Sequence, residues 1–142
     1  MLPSDAQLAY MGHRDRSGRI LLAEDNDDLR RLLVMHISSL GYEVIEARDG
    51  EEAWELLQES KPDLIVTDIN MPRKSGTDLI RLVRESETRA SVPIVVMSAY
   101  DGSYLVEAMQ AGADYPLHKP EDLDRLEDLI EGVLKPGPFS LS

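Results

Sequence analysis

Pro62-Asp-Leu-Ile-Val-Thr-Asp68-Ile-Asn-Met-Pro72-Arg-Lys-Ser-Gly76 decides how the chain folds. Asp63 to Thr67 is a short, nearly continuous apolar run, the pattern of a strand buried on both faces. It stops on a carboxylate, Asp68. A loop from Asn70 to Gly76 follows, with Pro72 and Gly76 as turn residues. Thr77 to Glu85 then places Leu79, Ile80, Leu82 and Val83 at helical spacing. A buried strand, a loop and a helix form one unit of a parallel sheet.

The same unit recurs on either side. Upstream, Arg19 to Ala23 is a short apolar strand that runs into Glu24, Asp25 and Asn26. Leu29, Leu32, Leu33, His36, Ile37 and Leu40 then make a helical stripe that Gly41 closes. Glu43 to Ala47 is the next strand. Gly50 to Glu59 is the next helix, with Asp49 as its cap and Ala53, Leu56 and Leu57 inward. Downstream, Pro93 opens the strand Ile94 to Met97, which ends at Ser98. Tyr104 to Ala111 is a helix closed by Gly112, Asp114 to His118 is the last strand, and Glu121 to Leu134 is the last helix. Residues 1–18 and 135–142 lack any period and are expected to be loose, leaving one domain over 19–134. Five short apolar strands alternating with helices predict an α/β fold with a parallel sheet covered on both faces.

The composition agrees. The chain has 142 residues and 42% apolar content, enough for one globular domain with a real core. It lacks cysteine, which excludes a disulfide framework and thiolate metal sites and suits a cytoplasmic setting. No apolar run is long enough to cross a bilayer, and Met1 to Arg19 does not read as a signal peptide. The formal charge is −12, so the chain repels nucleic acid and anionic membrane.

In a parallel sheet of this kind, ligands bind beyond the carboxyl ends of the strands. The residues expected there are Glu24 and Asp25, Asp68, Ser98 and Lys119. Singly each has a bland explanation: Asp25 or Asn26 as a helix cap, Ser98 as a turn residue, Lys119 as a solvated lysine. Together they place three carboxylates and an ammonium group at one sheet edge. Three close acids require raised pKa values or a cation, and hard oxygen ligands suit magnesium. Glu24, Asp25, Asp68 and the main-chain carbonyl of Asn70 form a candidate Mg2+ site. A carboxylate can take up a phosphoryl group as an acyl phosphate, with cations neutralising its oxygens. No glycine-rich phosphate loop follows the first strand, which argues against nucleotide binding.

These residues resemble the receiver domain family of two-component response regulators. The likeness rests on Ile20-Leu-Leu-Ala-Glu-Asp-Asn26, on Pro62 to Gly76, on Pro93-Ile-Val-Val-Met-Ser98-Ala, and on Ala111-Gly-Ala-Asp114 followed by Lys119-Pro120. It covers roughly Arg19 to Leu134. It implies a flavodoxin-like, doubly wound five-stranded parallel sheet in the order 2-1-3-4-5 with five helices. It implies that Asp68 is the phosphoacceptor, that Glu24, Asp25 and the Asn70 main chain hold Mg2+, and that Ser98 and Lys119 engage the phosphoryl group. The Lys119–Pro120 bond is expected to be cis. Asn70 and Tyr100 would flank the phosphoryl group and tune its lifetime. The donor would be a sensor histidine kinase or phosphotransfer protein. The output would lie in a downstream protein partner or a separate output domain, with homodimer contact through the last two helices and last strand. The implied role is a cytoplasmic signalling switch that catalyses only its own phosphoryl transfer and dephosphorylation.

One position departs from the family. A Tyr or Phe usually stands three residues before the lysine, and here that residue is Pro116, with Tyr115 one place earlier. A one-residue offset turns a strand side chain to the other face. Phosphorylation is expected to survive with altered output coupling, and Pro116 suits an edge strand. Two rival readings remain: a binding-only receiver, and a dehalogenase-like phosphatase, which wants a second acid where Asn70 stands. Among the other conspicuous residues, His36 is expected to pack inward, His118 to point away from Lys119, and Trp54 to pack near the second helix.

Overall fold

The computed structural model describes residues 18–99 and 102–134. Of the expected loose segments 1–18 and 135–142, residues 1–17 and 135–142 lie outside the described residues, as does Tyr100. The elements run β1 (Arg19–Ala23), α1 (Asp27–Ser39), β2 (Glu43–Ala47), α2 (Gly50–Ser60), β3 (Leu64–Asp68), α3 (Gly76–Glu85), β4 (Ile94–Ser98), α4 (Gly102–Ala111), β5 (Tyr115–His118), a 3-10 turn (Leu123–Arg125) and α5 (Leu126–Leu134). The five strands are parallel in the order β2-β1-β3-β4-β5.

Alternation along each strand feeds two separate cores. Leu21, Ala23, Ile65 and Val96 face α2, α3 and α4, packing with Leu57, Leu79 and other apolar residues there. Ile20, Leu22, Val66 and Met97 face α1 and α5, packing with residues such as Ile37 and Ile130. Trp54 is half-buried against the first of these cores. The central strand β3 is buried along its whole length. This explains why its sequence is continuously apolar rather than alternating.

Local signals set the helix ends. Asn26 caps α1, its side-chain oxygen accepting from the Leu29 N–H at 2.9 Å. Asp25 is thereby left out of the cap. Asp49 caps α2 in the same way, accepting from the Glu52 N–H at 2.8 Å. Gly41 closes α1 at φ 101°, a conformation glycine adopts without cost.

The structure corrects three expectations. Leu32 and His36 face solvent instead of the core: Leu32 is 61% exposed, and His36 Nε2 lies 3.4 Å from Glu127 Oε1 on α5. Arg30 instead takes a buried position on α1 beside Leu33 and Ile37. Its guanidinium donates to the Glu24 carbonyl at 2.9 Å and to Asp27 at 2.6 Å, and approaches Glu46 at 3.4 Å. The last helix starts later than Glu121. The His118 and Asp122 main chains are bonded at 2.8 Å, and the Asp122 carboxylate accepts from the His118 N–H at 3.0 Å, holding that segment as a turn. Asp114 stands just outside β5, its main-chain N–H donating to the Ile94 carbonyl at 2.9 Å and its carboxylate accepting from the Ile94 N–H at 2.8 Å.

Arg84 ties the far end of the sheet together. From α3 it donates to the carbonyls of Gly112 (2.9 Å), Ala90 (3.0 Å) and Val92 (2.6 Å), and pairs with Asp114 at 2.8 Å. Arg84→Ala is expected to destabilise the domain by about 2–3 kcal/mol, since charge-assisted hydrogen bonds to several carbonyls are lost together. Urea unfolding followed by circular dichroism measures this. A loss below about 0.5 kcal/mol, the range of ordinary surface substitutions, would show that water replaces the guanidinium freely.

Candidate functional site

Strand register brings the predicted residues to one edge. Ala23 pairs with Ala47 and Thr67, Asp68 with Met97, and Ser98 with His118. Hence Glu24, Asp68, Ser98 and Lys119 all sit at the carboxyl ends of neighbouring strands. Glu24 and Ser98 are fully buried, Asp68 is 6% exposed, and Asp25 is exposed. One carboxylate oxygen from each of Glu24, Asp25 and Asp68 lies within 4.8 Å of the others.

Lys119 reaches into this cluster. Its Nζ donates to Glu24 Oε1 at 2.9 Å and lies 3.4 Å from Asp68 Oδ2. The Lys119 main-chain N–H donates to the Ser98 carbonyl at 2.7 Å, which ties the lysine to the end of β4. The Lys119–Pro120 bond is cis, as the resemblance implies. The second Glu24 oxygen accepts from the Asn26 N–H at 3.1 Å. Asp68 Oδ1 accepts from the Ile69 N–H at 2.8 Å.

Electrostatics follow from this crowding. Burial, and then the charge of Glu24, push the Asp68 carboxyl up to about 7; Lys119 and the Ile69 N–H pull the other way. Burial alone would lower the Lys119 ammonium. Its hydrogen bond to Glu24 and the charges of Asp68 and Glu24 outweigh that, and its pKa rises above the ordinary lysine value. The cluster is therefore short of positive charge even with Lys119 in place. A donor set of three carboxylates suits a hard divalent cation.

The chain matches the response regulator receiver domain family over residues 20–131. It belongs to that family. Chemotaxis protein CheY1 of Helicobacter pylori is 34% identical over 119 residues, covering 82% of this receiver and 96% of CheY1. Transcriptional regulatory protein PdtaR of Mycobacterium tuberculosis is 41% identical over 115 residues, covering 80% of the receiver and 55% of PdtaR. Other curated relatives are longer, and the receiver spans 25%, 48% and 24% of three of them. Among solved structures, the receiver domain of sensor histidine kinase PA1611 from Pseudomonas aeruginosa superposes with TM-score 0.75 at 28% identity. That match covers 83% of this receiver and 98% of the PA1611 domain, which carries a magnesium ion in its active-site cleft. Receiver domains are phosphoryl-accepting signalling modules, not classical enzymes. Among the described residues, no helix is long and apolar enough to cross a membrane.

The position that departs from the family is visible in the structure. Tyr115 is 37% exposed and pairs in register with Val95, and Pro116 is exposed opposite Val96. Neither residue puts a buried aromatic beside Ser98. Strand β5 is an edge strand, where a missing N–H is tolerated. His118 is turned toward Glu121, 3.4 Å away. Sequence reasoning missed Arg30, which braces the Glu24 carbonyl, and the pairing of Arg73 with Asp49 beside the site. Asp49-Gly50 at a helix start was the only local hint of the second.

Proposed function

We propose that the receiver is a phosphorylation-dependent switch in which Asp68 accepts the phosphoryl group. The observation that carries this reading is the meeting of Glu24, Asp25, Asp68 and Lys119 at one sheet edge, with Asp68 buried and its pKa raised. Glu24, Asp25, Asp68 and the Asn70 carbonyl would hold Mg2+. The ion would neutralise the carboxylates and draw off charge from the phosphoryl oxygens.

The remaining chemistry belongs to the chain. An Asp68 carboxylate oxygen attacks phosphorus, a P–O bond forms, and the bond from phosphorus to the donor's histidine nitrogen breaks. Lys119 exchanges part of its contact with Glu24 for a phosphoryl oxygen. Ser98 supplies a hydroxyl donor from the end of β4. The Asn70 Nδ2 amide, buried without a hydrogen-bond partner among the described residues, is a further donor on the loop after Asp68. Together with Tyr100, Asn70 would set how readily water reaches the acyl phosphate. The donor would be a sensor histidine kinase or a phosphotransfer protein. Output would pass to a downstream protein or an attached output domain, with homodimerisation through α4, β5 and α5. An exposed Tyr115 and Pro116 support weakened coupling from Ser98 to that face.

Intact mass after incubation with a small acyl phosphate and Mg2+ tests the reading. The wild type is expected to gain one phosphoryl group. Chelation of the metal or Asp68→Asn should lower the rate by at least about a hundredfold, as expected when the nucleophile or charge-stabilising group is removed. A wild type that binds Mg2+ but gains no mass would favour the binding-only reading.

A further inference from the structure

The loop after Asp68 carries the Asn70 carbonyl and is fastened at two places. Its neck is closed by the Gly76 N–H donating to the Ile69 carbonyl at 2.7 Å. Its tip is fastened to the start of α2. Arg73 donates through Nε (3.0 Å) and Nη2 (2.5 Å) to a single oxygen of Asp49, Oδ2. The other Asp49 oxygen is committed to the α2 cap, and the Asp49 side chain is 4% exposed. The cap hydrogen bond from Glu52, aided by Arg73 against the effect of burial, keeps the Asp49 carboxyl below its ordinary pKa and so ionised.

Two backbone features show that the loop tip is forced into place. Arg73 holds φ 68°, in the left-handed region that a residue with a Cβ seldom adopts. Strain of that kind persists only where surrounding contacts over-determine it. In addition, Gly50 lies so close that a Cβ there would come within 2.0 Å of the Lys74 carbonyl oxygen. The loop backbone is thus pressed onto the first turn of α2.

We infer that Arg73 is a positioning residue: through Asp49 it clamps the loop tip to α2 and thereby fixes the Asn70 carbonyl for the cation. The inference rests on the metal site proposed above and assigns it a new support. With the neck and tip both fixed, Asn70, lying between them, has little freedom. Releasing the tip leaves the carbonyl to sample positions out of reach of a cation held by the three carboxylates. Groups that orient metal ligands commonly affect affinity nearly as strongly as the ligands themselves.

Isothermal titration of the full chain with MgCl2 tests this, using Arg73→Gln, Asp49→Asn and the double variant. Asparagine still caps α2, so Asp49→Asn removes the charge but keeps the helix start. Each single variant is expected to weaken Mg2+ binding by about tenfold. The double variant should be no weaker than either single one, because both break the same clamp. In magnesium-free protein, amide exchange at Lys74 and Gly76 should speed up in both variants. Arg84→Ala, which loosens the opposite end of the sheet, should leave the Mg2+ affinity unchanged.

If the single variants bind Mg2+ within twofold of the wild type, the positioning role is overturned. It is equally overturned if the two losses multiply in the double variant, or if Arg84→Ala weakens binding as much. A wild type that does not bind Mg2+ would instead overturn the metal site itself, and with it this support.

Discussion

Replacing Gly76 with alanine is expected to destabilise the receiver by about 3–5 kcal/mol, placing it among the most damaging single substitutions. Its Cβ would lie 2.0 Å from the Asp68 carbonyl oxygen and 2.9 Å from the Ile69 Cα. These are main-chain atoms, so no rotamer change relieves the clash. The Asp68 carbonyl also accepts from Thr67 Oγ1 at 2.8 Å, which limits its retreat. Overpacking of a flexible core usually costs about 1–3 kcal/mol, and a rigid backbone contact should exceed that range. Gly132→Ala is the matched control, because nothing among the described residues lies within 4 Å of where its Cβ would sit. On helix α5 that change should stabilise by up to about 1 kcal/mol. Urea unfolding of both variants measures the contrast. A Gly76→Ala loss below about 1 kcal/mol would mean that the backbone at Asp68 yields easily, against the packing described above.

The second large effect concerns Asp68 itself. In the absence of divalent cations, Asp68→Asn is expected to stabilise the fold by about 2–4 kcal/mol at pH 8. The carboxyl is held at about 7 in the folded chain, against 3.8 as its ordinary value. A carboxyl with a raised folded pKa binds its proton more tightly in the folded state. Its destabilising effect is therefore absent below the unfolded value, grows as pH rises between the two, and is complete above about 7. The advantage of asparagine should be small near pH 4, increase toward pH 7 and then level off. Mg2+ should shrink it by stabilising only the wild type. Urea unfolding at several pH values, with and without Mg2+, measures this. An advantage that is independent of pH, or greatest in acid, would refute the account of Asp68 as a buried, charge-crowded group.

Much of this arrangement was legible in the chain. Continuous apolar runs gave the buried parallel strands, and acids or a lysine at their ends gave the site, because a sheet's topology brings strand ends together. What escaped was carried by long polar side chains and the groups they reach, near or far in sequence. Arg30 is buried on helix α1 with its guanidinium on the Glu24 carbonyl, while Leu32 and His36 are exposed, so the apolar stripe misjudged the buried face. Arg73 and Asp49 are 24 residues apart, and Arg84 and Asp114 are 30 apart. Helical periodicity holds no record of such pairs. The late start of α5 likewise depends on hydrogen bonds between Asp122 and His118, which compete with helix formation over a few residues.

Among the described residues, the strand order leaves β2 and β5 with one side each unpaired. Open strands of this kind invite a second chain to add itself by main-chain hydrogen bonding. Here each carries an obstacle. Strand β2 exposes Glu43 and Glu46, ion-paired with Arg19 at 3.1 Å and Arg30 at 3.4 Å, and charged side chains of this kind blunt an edge. Strand β5 exposes Pro116, which has no N–H to offer an incoming strand. Pro116, standing where the family usually has an aromatic, thus leaves this edge one donor short for an added strand. An aromatic at position 116 would return a main-chain N–H to the edge of the sheet.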